Sequence, residues 1–211
     1  MNIFLWCLLT IGGFLLGSVY FSRIIVKAVS GRDLYEISDD GNPGTVNAFK
    51  ACGAGWGMLC LFLDVLKGFL PVLLAALLLD PRSWAMILVT AAPVLGHAVG
   101  IFNGFRGGKC IAVSFGVLAG LLPVSYSLFL LAVPYILFST LIKINPNGLR
   151  SIVVYAIFAL SSVILAAVQR QPYIALSCVI IAFIVIIKHG MKLKSEMKKE
   201  RDGEIDGDEK T

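Results

Sequence analysis

The side chains able to do chemistry in this sequence fall into four groups. The first is Gly17-Ser18 and the polar loop that follows, ending Ser38-Asp39-Asp40-Gly41-Asn42-Pro43-Gly44-Thr45-Val46-Asn47. Glycines there let the backbone take positive φ and turn amide N–H groups toward an anion. Asn-Pro-Gly is equally a strong ordinary turn signal. The second is Asp64 with Lys67-Gly68 inside an apolar stretch. Spacing i, i+3 sets both side chains on one helix face, as a structural ion pair or as part of a site wall. The third is Phe105-Arg106-Gly107-Gly108-Lys109, two cations flanking two glycines ahead of an apolar run. A helix starting there offers free N–H groups and a positive dipole end to a phosphate; its bland alternative is a basic anchor at the membrane surface. It is not a Walker A loop, because Cys110 stands where Ser or Thr is required. The fourth is the two histidines, His97 and His189. Two anion-binding loops, an Asp–Lys pair and one or two histidines, brought together, suit a small phosphorylated substrate.

The elements that must position these groups are apolar. Hydrophobic residues make up 58% of the chain and charged ones 15%, with mean hydropathy +0.87; a soluble domain carries roughly 45–50% and about 25%. Spanning a bilayer takes about 20 apolar residues per helix, and a membrane setting suits a lipid-like second substrate. The stretch Met1–Phe21 has no basic residue before its apolar run and no small-residue cleavage site, so it reads as a retained helix and not as a cleaved signal. The five cysteines (Cys7, Cys52, Cys60, Cys110, Cys178) are irregularly spaced and read as packing residues, with neither a disulfide framework nor a metal pattern.

Apolar runs and their breakers predict an all-α polytopic membrane protein of seven helices, at about 3–22, 56–79, 84–103, 109–122, 124–142, 151–168 and 172–188. The run Cys110–Ile142 is split at Leu122-Pro123, where proline removes a backbone donor. With the N-terminus outside, the outer segments receive only Arg82 and Arg170. The inner ones receive every other Lys and Arg except Lys67, which lies in a span. That is the cytoplasmic excess expected of a bacterial plasma-membrane protein. Residues 1–190 form one transmembrane domain in this reading. Residues 191–211 form a charged cytoplasmic tail, basic first (Lys192, Lys194, Lys198, Lys199, Arg201) and acidic last. Most of the four groups then share the cytoplasmic face.

These stretches, in order, resemble the bacterial acyl-phosphate:glycerol-3-phosphate acyltransferases (the PlsY type). That family carries a GS element, a DIRxxGSGNxGATN loop, a DxxKG element, a GHxFPxFxxFKGGKG segment and a C-terminal HRxNIxRL motif. Here they read Gly17-Ser18, Gly41-Asn42-Pro43-Gly44-Thr45-Val46-Asn47, Asp64-Val65-Leu66-Lys67-Gly68, Gly96-His97 and Phe105-Arg106-Gly107-Gly108-Lys109, covering about residues 12–115. The resemblance implies acyl transfer from acyl-phosphate to the 1-hydroxyl of glycerol 3-phosphate, giving lysophosphatidic acid for phospholipid synthesis. It implies neither acyl-CoA nor a metal or other cofactor in the chemistry. By matched position Arg106, Gly107, Gly108 and Lys109 would hold phosphate. Ser18, Asn42, Gly44, Asn47, Asp64 and Lys67 would line the substrate pocket, with Ser38, His97 and His189 as candidate catalytic groups.

The sequence also departs from the pattern. Asp39-Asp40-Gly41-Asn42 replaces GSGN, so Ser38 must substitute for the family's Ser through a shifted loop. No Arg stands at Leu34-Tyr35, Lys192 replaces the Asn after His189, Cys110 replaces the last Gly of KGGKG, and Val99-Gly100 replaces Phe-Pro. The same departures fit a catalytically inactive, lipid- or phosphate-binding relative. A small transporter is a third reading, although no matching halves with interrupted helices are visible. Two other lipid enzymes are set aside. Acyl-CoA-type acyltransferases need His and Asp five positions apart, whereas His97 is followed there by Phe102 and His189 by Lys194. CDP-alcohol phosphotransferases need a longer series of spaced Asp.

Overall fold

The computed structural model describes residues 2–38 and 41–208, with side chains to residue 198. Asp39 and Asp40, and the side chains of the tail beyond Lys198, lie outside the described residues. The described chain is helical throughout. Helix α1 (Ile3–Gly17) is capped by Asn2, whose side chain accepts from Leu5 N–H at 3.2 Å. It stops short of the predicted boundary at residue 22, and a short turn at Ser18–Tyr20 redirects the chain into α2 (Phe21–Ser30). Gly31, at φ +70°, ends α2 in the left-handed conformation that glycine takes without steric cost. Asp33 then caps the four-residue α3 (Leu34–Ile37) by accepting from Tyr35 N–H at 3.1 Å.

Helix α4 (Thr45–Leu78) starts well before the predicted span at 56 and bends at Gly53, whose φ of +79° breaks the helical path. The bend folds the first segment back, so that Thr45 meets Asp64 nineteen residues on. Helix α5 (Met86–Val99) ends at Gly100 (φ +66°) and runs into a 3-10 turn at Ile101–Asn103. The predicted break at Pro123 is present: α6 (Ile111–Gly120) and α7 (Ser127–Thr140) are separate helices joined by turns. Helices α8 (Asn147–Gln169) and α9 (Pro172–Asp208) complete the bundle. The charged tail continues α9 as a helix instead of leaving it as coil.

Five helical stretches have the length and composition to cross a bilayer: Ile3–Ser30, Thr45–Leu78, Met86–Asn103, Asn147–Gln169 and Pro172–Lys198. The apolar helices α6 and α7, with 10 and 14 residues, reach roughly 15 and 21 Å at 1.5 Å per residue. A typical hydrocarbon core is about 30 Å. Helix α8 packs on α9, α4 on α6 and α1 on α5. The core between them holds Val72, Met86, Val117, Leu121, Leu131, Phe158 and Ile181. Large apolar side chains such as Phe4, Phe62, Leu77, Leu160 and Phe183 point outward, as expected of helices apolar on every face that meet lipid.

Two pairs of helices approach at backbone distance. A Cβ on Gly96 of α5 would fall on the Phe14 carbonyl of α1, and one on Gly17 would fall on the Pro93 carbonyl. Between α4 and α6, a Cβ on Gly116 would meet the Val65 carbonyl and one on Gly68 the Val113 carbonyl. Small residues at such crossings provide close packing where lipid offers no hydrophobic drive to associate. They also hold Asp64, Lys67 and His97 at fixed separation. Of the cysteines, Cys60, Cys110 and Cys178 are buried, Cys52 is partly exposed and Cys7 is exposed, all as free thiols.

Candidate functional site

One cavity of about 790 Å³ opens at the end of the bundle where α5 stops and α4, α6 and α8 start. The first residues of those three helices line it: Thr45 and Val46, Ile111 and Ala112, Asn147 and Gly148. First-turn amides have no carbonyl within their own helix to bond, and each helix carries partial positive charge at that end. Three such ends meet around one space, joined in the wall by Lys50, Lys109, Arg150 and Lys192, the last paired with Glu196 at 3.9 Å, so the wall carries an excess of positive charge. The lining also includes the apolar side chains of Val46, Phe49, Leu61, Val65, Ile111 and Phe115. A ligand that carries both charged groups and hydrocarbon matches this mixed lining.

The wall includes seven of the residues singled out from the sequence: Asn42, Gly44, Asn47, Asp64, His97, Lys109 and His189. Asn47 Nδ2 donates to the Asn42 carbonyl at 2.8 Å and pins the loop to α4. His189 is buried and its Nε2 has no hydrogen-bond partner among the described residues. Its neighbour Lys188 donates to the Ala98 carbonyl at 3.0 Å, which ties α9 to the end of α5.

The other predicted residues lie behind or beside the wall. Ser18 is buried and donates to the carbonyls of Phe14 (2.9 Å) and Gly96 (3.1 Å), so it serves the α1–α5 crossing. Lys67 is buried behind the cavity and pairs with Asp64 at 2.8 Å. Thr45 donates to the second Asp64 oxygen at 2.9 Å and Ser22 does so at 3.3 Å. The Gly108 N–H donates to Tyr20 Oη at 2.6 Å and to the His97 carbonyl at 3.0 Å, so this amide is spent on holding its own loop. Gly107 sits so close to α5 that a Cβ would fall on the Ala98 carbonyl. Ser38 is not in the cavity wall, and its buried Oγ has no hydrogen-bond partner among the described residues.

Arg106 is exposed and turned away, its guanidinium 5.7 Å from the Tyr35 ring centroid. It belongs to a second polar cluster. Arg23 grips both Asp33 oxygens, at 2.6 Å for the closest contact, and lies over the same Tyr35 ring. Asn103 bonds Tyr35 Oη and the Arg106 carbonyl, and Tyr35 Oη donates to that carbonyl at 2.8 Å. The guanidinium of Arg23 beside Asp33 holds its carboxyl below the usual carboxylate range. Burial pushes the Tyr35 hydroxyl up.

Sequence reasoning missed the contribution of α8. Arg150 lines the cavity with a buried Nε that has no hydrogen-bond partner among the described residues, and its guanidinium sits 5.7 Å from the Tyr135 ring centroid. A signal was available. Asn145-Pro146-Asn147-Gly148 repeats the character of Asn42-Pro43-Gly44-Thr45, and each opens a helix at the cavity. Tyr20 was also missed; its ring stacks on His97 with centroids 4.8 Å apart, and nothing in the local sequence pairs the two.

Known proteins share this sequence and arrangement. Residues 7–199 match the family model described as glycerol-3-phosphate acyltransferase. The glycerol-3-phosphate acyltransferase of Geotalea daltonii is 36% identical over 181 residues, which cover 86% of this chain and 88% of that relative. The one from Aquifex aeolicus is 41% identical over 121 residues, 57% of this chain and 62% of its own length. Crystal structures of PlsY (YgiH), an integral membrane glycerol 3-phosphate acyltransferase, align over 92% of both chains. The glycerol 3-phosphate form has a TM-score of 0.76 at 29% identity, and the lysophosphatidic acid form 0.74 at 27%. The chain therefore belongs to the glycerol-3-phosphate acyltransferase family.

Proposed function

We propose that this protein transfers a fatty acyl group from acyl-phosphate to the 1-hydroxyl of glycerol 3-phosphate, giving lysophosphatidic acid and inorganic phosphate. The observation that carries the reading is the convergence of three helix N-termini, Lys109, Arg150 and two histidines on one cavity whose lining also includes apolar side chains. Both substrates are phosphates and one bears a long chain, so the polar and apolar parts of the cavity answer to the two halves of the reaction. In the transfer, the hydroxyl oxygen bonds to the acyl carbon. The bond from that carbon to phosphate breaks, the electron pair leaves with phosphate, and the hydroxyl proton goes to a phosphate oxygen or a neighbouring base. Cations and fixed amides stabilise the charge that builds on the acyl oxygen and on the departing phosphate. Holding the remote phosphate of glycerol 3-phosphate aims its hydroxyl. Of the three candidate catalytic groups, His97 and His189 line the cavity and Ser38 does not, so the reading rests on the histidines.

The proposal includes seven crossings with the N-terminus outside and the cavity facing the cytoplasm. A seven-crossing path brings the end of α5 and the starts of α4, α6 and α8, which carry the cavity lining, to the side that also receives most Lys and Arg. Reconstituted protein supplied with palmitoyl-phosphate and labelled glycerol 3-phosphate is expected to make lysophosphatidic acid well above a Lys109→Ala control. No product from folded protein, beside a working relative, would overturn the reading in favour of an inactive relative or another acceptor.

A further inference from the structure

Lys67 lies behind the cavity with three acceptors at bonding distance: Asp64 Oδ1 at 2.8 Å, the Val19 carbonyl at 2.8 Å and His97 Nδ1 at 2.9 Å. A lysine ammonium has three N–H donors and no acceptor. The Val19 carbonyl and His97 Nδ1 each face one of its protons, and Asp64 supplies the counter-charge without which a buried ammonium is not tolerated. Lys67 can only donate to Nδ1, so Nδ1 holds a lone pair and the single hydrogen of the ring sits on Nε2. A second proton cannot be added at Nδ1 while the ammonium points at it. One face of the ring is covered by Tyr20, whose hydroxyl also donates to the His97 carbonyl. With Nδ1 turned to Lys67, Nε2 is the ring nitrogen beside Gly108, where a Cβ would collide with it; the Gly17 carbonyl also stands against the ring, which lines the cavity.

We propose that His97 is held as a neutral imidazole whose Nε2–H is a fixed hydrogen-bond donor to the ligand in the cavity. Asp64 and Lys67 act as positioning residues that hold this tautomer. Resting on the acyltransferase reading, this gives the two histidines different work. The Nε2–H of His97, beside the first turn of α6, donates to the acyl carbonyl oxygen as it gains charge or to a phosphate oxygen. It cannot take the hydroxyl proton, which passes instead to the departing phosphate or to His189, whose Nε2 stands without a partner in the cavity wall. It also explains why Lys67, a cation at a phosphate site, does not reach the cavity: its charge is spent on orienting the ring.

The tautomer is read from ¹⁵N chemical shifts of histidine-labelled protein in lipid nanodiscs, with the His97 signals identified by their loss in His97→Gln. The expected pattern at neutral pH is a protonated Nε2 and an unprotonated Nδ1, and Lys67→Met converts it to a mixture of tautomers. A protonated Nδ1 or a cationic ring in the wild-type protein overturns the proposal. Kinetics give a second reading, because glutamine keeps an N–H donor near the Nε2 position and cannot serve as a base. His97→Gln is expected to keep turnover within about 10-fold of wild type while His97→Ala loses roughly 100-fold or more. Equal collapse of both variants overturns the donor role. The spectroscopic result does not depend on turnover: the Nε2–H tautomer in a chain that makes no lysophosphatidic acid supports the tautomer and counts against the acyl-transfer reading alone.

Discussion

Two polar clusters flank the loop between α5 and α6, and they are built on opposite principles. Asp64, Lys67 and His97 are 3%, 1% and 6% exposed. Lys67 Nζ meets both Asp64 and His97, and small-residue crossings of the surrounding helices hold the separations. Arg23, Asp33, Tyr35, Asn103 and Arg106 sit on the other side of the loop, where the Arg23 and Asp33 side chains are 33% and 16% exposed. There, planar guanidinium groups stack and fork at the edge of solvent, and only Asn103 is buried. The inner cluster sets a protonation pattern; the outer one braces a loop. Burial separates the two tasks, because an unmatched charge costs several kcal/mol inside and little at a wet surface.

That contrast is broken most sharply inside. Lys67→Met leaves the Asp64 carboxylate buried without its partner and is expected to cost about 3–5 kcal/mol. Replacing both, as Asp64→Leu with Lys67→Met, recovers most of the loss. Thermal unfolding in detergent checks this, and single variants as stable as wild type would show that the pair is not buried as described. Next is Gly108→Ala, whose Cβ collides with His97 Nε2. A displacement of about 1 Å at a reacting group costs on the order of 100-fold in turnover, with a far smaller change in melting temperature. If both fall together, Gly108 is a folding residue and not a spacer for the ring.

A smaller effect is expected of Arg150→Ala. Losing a hydrogen bond to a charged group, about 1.5–3 kcal/mol, corresponds to roughly 10- to 100-fold in kcat/KM. It should appear in the KM for a phosphorylated substrate, and an unchanged kcat/KM would remove α8 from the site. Least of all is Asp33→Asn, worth at most about 1 kcal/mol for an ion pair this exposed. Its sign follows from the depressed folded pKa of Asp33. The contribution is complete above the ordinary value of 3.8 and disappears as pH falls through the lower folded value. Wild type and variant should therefore differ at neutral pH and converge in strong acid. High salt should shrink the difference as well, while leaving the Lys67 effect almost untouched.

Much of the site was legible because its chemistry is local. Asn42, Gly44 and Asn47 stand in one loop, Asp64 and Lys67 on one helix face, and Lys109 beside the start of a helix, all within a few residues of their own signals. Arg106 shows the limit. Beside Lys109 in sequence it has the same charge and the same apparent purpose, yet Tyr35 and Asn103 draw its segment to the outer cluster. Lys67 shows another: its type suggests a phosphate ligand, and only the arrival of Val19 from the turn after α1 and of His97 from α5 reveals where its ammonium points.

Residue order alone accounts for the helical, lipid-facing character of the chain, the break at Pro123 and the gathering of glycine, proline and cation signals at helix starts. Apolar length, proline and glycine chemistry act over a few turns, so they can be read along the chain. Packing between helices settles which of the marked residues reach the cavity, that α8 supplies Arg150, and which nitrogen of His97 faces Lys67. Those outcomes depend on contacts between residues 30 to 90 positions apart, and hydrogen-bond matching across such distances leaves no trace in the local order of residues.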